Sequence, residues 1–332
     1  VQCRELLVQR LKQSLKDNLV YSKRFKAMQD SINGSDYNLF EMLTKFRLEL
    51  FDGFKIWFVK LDKVRELPII ANMFDLCIVL QSSDIFAYES VGLGIRSKKL
   101  IAVADSEQNV RRSENLLTDK NFKLVEPYEL TLFDNVSDFG EVIDLCLNNK
   151  HKNKVLFDFT NYAFYDGRCK DYNIGGYNGN AVVCINTAGR FDDGINPTEA
   201  RKVISILKTV LAKGSNKSIV VATFTNAQKY EIIKQINLLS ELDAEFAKRL
   251  DVYLKKSGSN GVEDLVKTAY ELMGVTKELV IFSTVISVNK YRQIEGRDIF
   301  DFAGSKALLN LVLTSAINKM IVVTSVEPDD VT

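Results

Sequence analysis

Few residue types that carry covalent or metal chemistry occur in this chain. It has one histidine, His151, so no poly-histidine metal site can form and His-based acid–base chemistry has a single candidate. His151 stands in the basic stretch KHKNK, where a solvated residue at a helix start is the expectation. The cysteines are Cys3, Cys77, Cys146, Cys169 and Cys184; they include no C-x-x-C pair and fit no zinc-ligand spacing. Cys77 and Cys184 lie in the apolar runs DLCIVL and AVVCIN, which predicts small core residues. Phosphate chemistry through a G-x-x-x-x-G-K-[ST] loop is absent. The nearest segment, KGSNKS at 213–218, lacks the required glycines and leads from helix into strand, the wrong order for aiming N–H groups at a phosphate. GLG at 92–94 and GGYNG at 175–179 bridge no strand into a helix, and no G-x-S-x-G elbow exists. The aromatic residues Phe157, Phe159, Phe164 and Tyr165 are expected in the core rather than on a base-stacking platform.

Composition bounds the rest. The 332 residues carry 44 Lys plus Arg against 43 Asp plus Glu, with 46% hydrophobic residues and 4 prolines. That excludes global disorder and fits two globular domains. A net charge of +1 argues against a chain whose main role is to coat nucleic acid, while leaving room for a local basic face. Residues 1–30 hold Arg4, Arg10, Lys12, Lys16, Lys23, Arg24 and Lys26 against Glu5, Asp17 and Asp30; this is either such a face or an ordinary solvated one. The odd cysteine count points to a reducing, cytoplasmic setting. No apolar run approaches the roughly 18 residues of a membrane span, and the amphipathic start VQCRELLVQRLKQ is unlike a signal peptide, so no membrane partner is expected.

Periodicity places these residues on elements. Residues 1–50 read as helices, with a break at SINGSD (31–36). FKIWFV is a strand-like or buried run. LCIVL (76–80) and LIAVA (100–104) are continuous apolar runs that suit parallel strands covered on both faces, joined by one crossover helix in DIFAYESVGLGIRS. Beyond 150, helices at 154–165, 196–213, 226–239 and 304–317 alternate with strands at 181–186, 218–224, 278–287 and 319–326. This order calls for a mostly parallel sheet with helices on both faces. The expected organisation is a helical segment at 1–50, a partial α/β domain at 51–150 and a second α/β domain at 151–332.

Several segments, taken in order, resemble the superfamily I DNA/RNA helicases of the nonsense-decay and Dna-type group. LFDFTNYAFYDGR is similar to that group's L-I-x-F-S-N-x-x-F-Y region. INPTEARKVISILKTVL followed by SIVVATFTNAQ resembles its N-P-x-E-A helix and V-V-T-x-x-x-A-Q strand end. FDLCIVLQSSD sits where the family carries F-D-x-V-I-x-D-E-A-S-Q, and IAVADSEQ where it carries V-V-G-D-x-x-Q. LVKTAYELMGVTKELVIFS and LLNLVLTSAINKMIVVTSVEPDD take the places of its last two motifs. The likeness spans about residues 54–330. It implies two RecA-like parallel-sheet domains, the first incomplete and preceded by the helical segment.

The departures fall on the charged chemistry. Leu80 and Gln81 replace the Asp-Glu pair that holds magnesium-bound water and accepts its proton. Ser315 and Ile317 replace the two arginines of T-R-A-R, a type of group that contributes on the order of 10³–10⁵ in phosphoryl-transfer rate. Met273-Gly274-Val275-Thr276 keeps only the glycine of Q-G-x-E. On the resemblance, Asp105 and Gln108 retain the D-x-x-Q pattern and Lys150 aligns near an arginine, giving Asp105, Gln108 and Lys150 as candidate nucleotide-side residues. Thr223, Asn226 and Gln228 match the segment that faces the nucleic-acid strand, with helix capping as the structural alternative. Asn310 and Thr314 survive from the last motif. The resulting expectation is a catalytically inactive helicase-like scaffold, with no catalytic or metal residues and no cofactor, that binds single-stranded nucleic acid or a protein partner. The alternative is the C-terminal part of an active ATP- and magnesium-dependent helicase whose phosphate loop lies upstream. A third reading is an unrelated α/β enzyme.

Overall fold

The computed structural model describes residues 2–17, 24–34, 39–108, 131–148, 150–172, 180–214, 216–297 and 305–330. They form two compact units. The first takes in the described residues up to Ala104 together with 131–139; the second takes in 105–108 and the described residues from Gly140 onward.

The first unit begins with four helices, α1 (Gln2–Leu15), α2 (Phe25–Asn33), α3 (Leu39–Lys45) and α4 (Arg47–Gly53). Met28, Leu43, Phe46, Leu50 and Leu67 meet in its larger core cluster. Strands β1 (Cys77–Leu80) and β2 (Leu100–Val103) pair in parallel, with Cys77 opposite Leu100 and Leu80 opposite Val103. Helices α5 (Val91–Arg96) and α6 (Leu132–Phe139) complete the unit. Arg96 is buried at the end of α5, where its guanidinium donates to the carbonyls of Leu67 (2.7 Å), Gly92 (2.8 Å) and Pro68 (3.0 Å). A planar donor fork thus satisfies three main-chain acceptors that would otherwise be stranded.

Three expectations fail in this unit. FKIWFV forms neither a strand nor a buried run: residues 54–60 have no regular structure, and Phe58 is 97% exposed. The β1–β2 pair is not covered on both faces, since Ile78, Ile101 and Leu80 (68%) are exposed. A two-strand ladder with these few helices lacks the surface to cover both sides. The crossover is not one helix either. Gln81 takes a left-handed φ of 55°, and the chain then runs through short 3₁₀ turns at Ser82–Asp84 and Ala87–Ser90 before α5.

In the second unit, β3 (Leu147–Asn148), α7 (Lys154–Tyr165) and β4 (Lys170–Asp171) lead to the main sheet. Its strands are β5 (Val182–Asn186), β6 (Ile219–Thr223), β7 (Val266–Thr268), β8 (Lys277–Val288), β9 (Ile294–Glu295) and β10 (Ala316–Ser325). The order is β5-β10-β8-β6-β7, all parallel, and β9 pairs antiparallel with β8. This is a mixed α/β fold with a RecA-like parallel sheet. The two-residue period of a strand divides each one between two cores. Val220, Ala222, Val280, Phe282 and Met320 face Leu156 of α7 and Leu308, Leu311 and Val312 of α11 (Ser305–Thr314). Ile219, Val221, Leu279, Ile281 and Val323 face α8 (Pro197–Ala212), α9 (Asn226–Leu242) and α10 (Ala244–Ser257) through Val203, Leu207, Ile232, Ile236, Phe246 and Leu250.

Helix starts follow side-chain capping. The Asn153, Asn196, Thr225 and Asp243 side chains accept from the first-turn N–H groups of α7, α8, α9 and α10, and Pro197 takes the first position of α8. Cys77 is only half-buried, and Cys184 is exposed because β5 is an edge strand with an outward-facing row. Phe157 and Phe164 are in the core as expected, whereas Phe159 is exposed. No helix among the described residues is long and apolar enough to cross a membrane. Leu207 is fully buried between α8 and the sheet. Leu207→Ala should therefore lower the stability of the second unit by about 3 kcal/mol in urea unfolding, through lost transfer free energy and the cavity left behind.

Candidate functional site

Two polar clusters within the second unit contain or adjoin the residues singled out from sequence. The first centres on Tyr165, at the end of α7. Its hydroxyl donates to Asp105 Oδ2 (2.7 Å) and accepts from Asn310 Nδ2 (2.9 Å) and Gln108 Nε2 (3.4 Å). Gln108 Nε2 also donates to Thr314 Oγ1 (3.1 Å), and Asn310 Nδ2 to the Glu107 carbonyl (3.1 Å). Burial, together with the Asp105 carboxylate, pushes the Tyr165 phenol well above its ordinary pKa, so it is a neutral donor at any physiological pH. Asp105, Gln108, Asn310 and Thr314 are thus brought to one place. Lys150 is exposed, yet the atoms packed around its ammonium lower its pKa, and the Asp105 carboxylate offsets that only in part.

The second cluster lies where α8 begins, at the C-terminal ends of β6, β8 and β10. Glu199, fully buried, is its centre. Oε2 accepts from the Ser283 hydroxyl (2.7 Å) and the Val285 N–H (2.9 Å). Oε1 accepts from the Ser325 hydroxyl (2.9 Å), Asn196 Nδ2 (3.3 Å) and the Thr284 hydroxyl (3.4 Å). Asn196 also donates to the Val285 carbonyl (3.2 Å) and to Ser325 Oγ (3.0 Å). Gln228 clasps the Asn196 main chain: its Oε1 accepts from the N–H (2.8 Å), and its Nε2 donates to the carbonyl (3.0 Å) and to Ser283 Oγ (3.0 Å). Val285 is held at φ 71°, a left-handed conformation that strains a β-branched residue. Both of its backbone polar groups point into this network. Gly189 closes the cluster from the side: a Cβ there would collide with the Asn196 amide and lie 2.6 Å from Ser325 Oγ.

The three strand-facing candidates separate on inspection. Gln228 is fully buried and spends its amide inside the protein. Thr223 is fully buried at the end of β6, and its hydroxyl has no partner among the described residues. Asn226 is exposed at the first position of α9; the cap of that helix is Thr225, which accepts from the Gln228 N–H (3.1 Å). His151 is not solvated as expected. It is 3% exposed, with Nδ1 2.8 Å from the Ala316 carbonyl. Burial lowers its pKa, so the ring is neutral with its proton on Nδ1 toward that carbonyl. Among the described residues, no group of three or more His, Cys, Asp or Glu is placed to hold a metal.

Glu199, Ser283, Ser325 and Tyr165 were not foreseen from sequence. One signal for Glu199 was present: it shares a helical face with Val203 and Leu207, four and eight positions on, and that face is the buried one. Nothing local marks the others.

A family model described as an AAA domain matches residues 183–327, less than half of the chain. That segment runs from β5 through β10 and contains the whole Glu199 cluster. No curated protein matches the chain.

Two outcomes follow. Burial raises the Glu199 carboxyl above its ordinary 4.5, so the native state holds that proton more tightly than the unfolded chain does. Its contribution to stability is complete below 4.5 and is lost as pH rises through the folded-state value. Denaturant melts of the wild type across that window should show this slope, and Glu199→Gln should flatten it; an identical slope in the variant would refute the assignment. Tyr165→Phe removes the hydroxyl shared by Asp105 and Asn310. It should cost about 1–2 kcal/mol and increase amide hydrogen exchange at Glu107 and Gln108.

Proposed function

We propose that the chain is a helicase-related module without ATP hydrolysis that works by holding single-stranded nucleic acid. The observation that carries the inactive reading is the set of residues at the family's charge-bearing positions. Ser315 is buried and donates its hydroxyl to the Val312 carbonyl (2.6 Å). Ile317, second in β10, is a half-buried apolar residue. Leu80 ends β1 with its side chain exposed, and Gln81 follows in a left-handed turn. None of the four can ligate magnesium through a carboxylate or place positive charge on a transferring phosphoryl group. The reading therefore includes no nucleotide, no metal and no catalytic residue.

The binding half rests on the start of α9. Asn226 is exposed there, on a 17-residue helix whose N-terminal dipole favours a phosphate. Lys229, one turn on, is engaged with Glu271 (2.7 Å). Burial alone would raise the Glu271 carboxyl, but Lys229 and the Thr268 donors outweigh it and hold the carboxyl below its ordinary value. That leaves Asn226 and the N–H groups ahead of Gln228 as the contact surface, since the Gln228 N–H is taken by Thr225. Asp105, Gln108 and Lys150 then serve as a structural remnant of the nucleotide side.

The test has two parts. Phosphate release from ATP with magnesium should stay at background for the full chain, with or without single-stranded oligonucleotides. Strand-stimulated hydrolysis would instead support an active helicase. Oligonucleotide affinity should fall with salt, with a log–log slope of roughly −0.7 per phosphate neutralised, and Asn226→Ala should weaken it several-fold. Absent binding at low salt would turn the reading toward a protein partner.

A further inference from the structure

The cysteines look scattered along the chain, yet the fold brings two of them side by side. β3 and β4 pair in parallel with Leu147 opposite Lys170 and Asn148 opposite Asp171. The same register one step earlier sets Cys146 opposite Cys169. The Lys170 N–H donates to the Cys146 carbonyl (2.8 Å), so the ladder is closed at that step. Asp144 and Arg168, just before the pair, approach to 3.7 Å. Asn161 of α7 fixes the Cys169 backbone from the other side, donating to its carbonyl (3.0 Å) and accepting from its N–H (2.9 Å).

Facing follows from the strand period. Leu147 and Lys170 are exposed, whereas Cys146, Asn148, Cys169 and Asp171 are half-buried. The two thiols therefore leave the ladder on the same, inner face. Paired strands lie about 4.7–4.9 Å apart, within the roughly 4.4–6.8 Å Cα separation that a disulfide spans. Both cysteines are free.

We propose that Cys146 and Cys169 are a dithiol site that closes into a reversible intramolecular disulfide by exchange with a low-molecular-weight disulfide. One thiolate of the pair attacks a sulfur of the small disulfide, forming a mixed disulfide and expelling a small thiolate. The second thiolate then attacks the protein sulfur of that mixed bond and expels the other small thiolate. The two protons given up by the cysteines are taken up by the two released thiolates. One protein dithiol is oxidised and one small disulfide reduced. The bond closes a loop that contains α7, with His151 and Tyr165 on it, and so clips together the strands on either side of the helix that carries the Asp105 contact. Burial, and next the nearby Cys146, raise the Cys169 pKa, so exchange is slow near neutrality and quickens as pH rises.

The test treats the folded chain with oxidised glutathione, quenches in acid, alkylates the remaining thiols and maps the peptides. The expected product is a Cys146–Cys169 cross-linked peptide lighter by two hydrogen atoms and lost on reduction. Exposed Cys184 is the internal control; with no opposed partner, it should carry glutathione or the alkyl label. Cys169→Ser should stop the reaction at the mixed disulfide, leaving glutathione on Cys146. Recovery of Cys146 and Cys169 both alkylated after Cys184 has reacted would overturn the proposal. So would stable glutathione on both, or a bond from either to a different cysteine.

Discussion

One carboxylate, Glu199, has no access to water, and its donors come from distant parts of the chain. A charge or a polar acid in that position costs several kcal/mol if its oxygens are left unmet. Ser283, Thr284, the Val285 N–H, Ser325 and Asn196 meet them. Each of those groups is therefore fixed in turn. Asn196 must cap α8 and reach the carboxylate together; Gln228 must hold the Asn196 backbone; Val285 must accept a left-handed φ to offer its N–H. The C-terminal ends of β8 and β10 and the starts of α8 and α9 are locked by one polar centre, while apolar packing holds the remainder of the sheet.

The Tyr165 cluster uses the same principle with a neutral group. A phenol can donate once and accept more than once, and here it links an aspartate and a glutamine of one short segment to an asparagine on a helix far along the chain. In this chain they hydrogen-bond to one another, an arrangement that needs no ligand.

The second unit was legible where buried strands are continuous apolar runs, as in SIVVAT, and where helices begin at Asn, Thr or Asp followed by a periodic apolar face. The same rule misread FKIWFV and overstated the coverage of LCIVL and LIAVA, which do pair as parallel strands, because an apolar run reports a tendency to be covered and not the presence of something to cover it. His151 escaped notice because a basic neighbourhood hides a single ring turned inward to a carbonyl 165 positions away. Of Thr223, Asn226 and Gln228, only Asn226 points outward, a distinction set by the turn at Thr225 and invisible in residue types alone. Tyr165 could not have been picked out at all, since its partners lie up to 145 positions away.

The separation of the Glu199 donors along the chain also sets an order in time. Ser283 lies 84 residues beyond the carboxylate and Ser325 lies 126 beyond it. During synthesis α8 emerges long before either hydroxyl exists, so the acid must wait in water, or protonated, until β10 has left the ribosome. A parallel sheet whose polar centre waits for a strand made as late as β10 cannot finish folding piecemeal. The growing chain is thus exposed to aggregation and to chaperones until β10 is made.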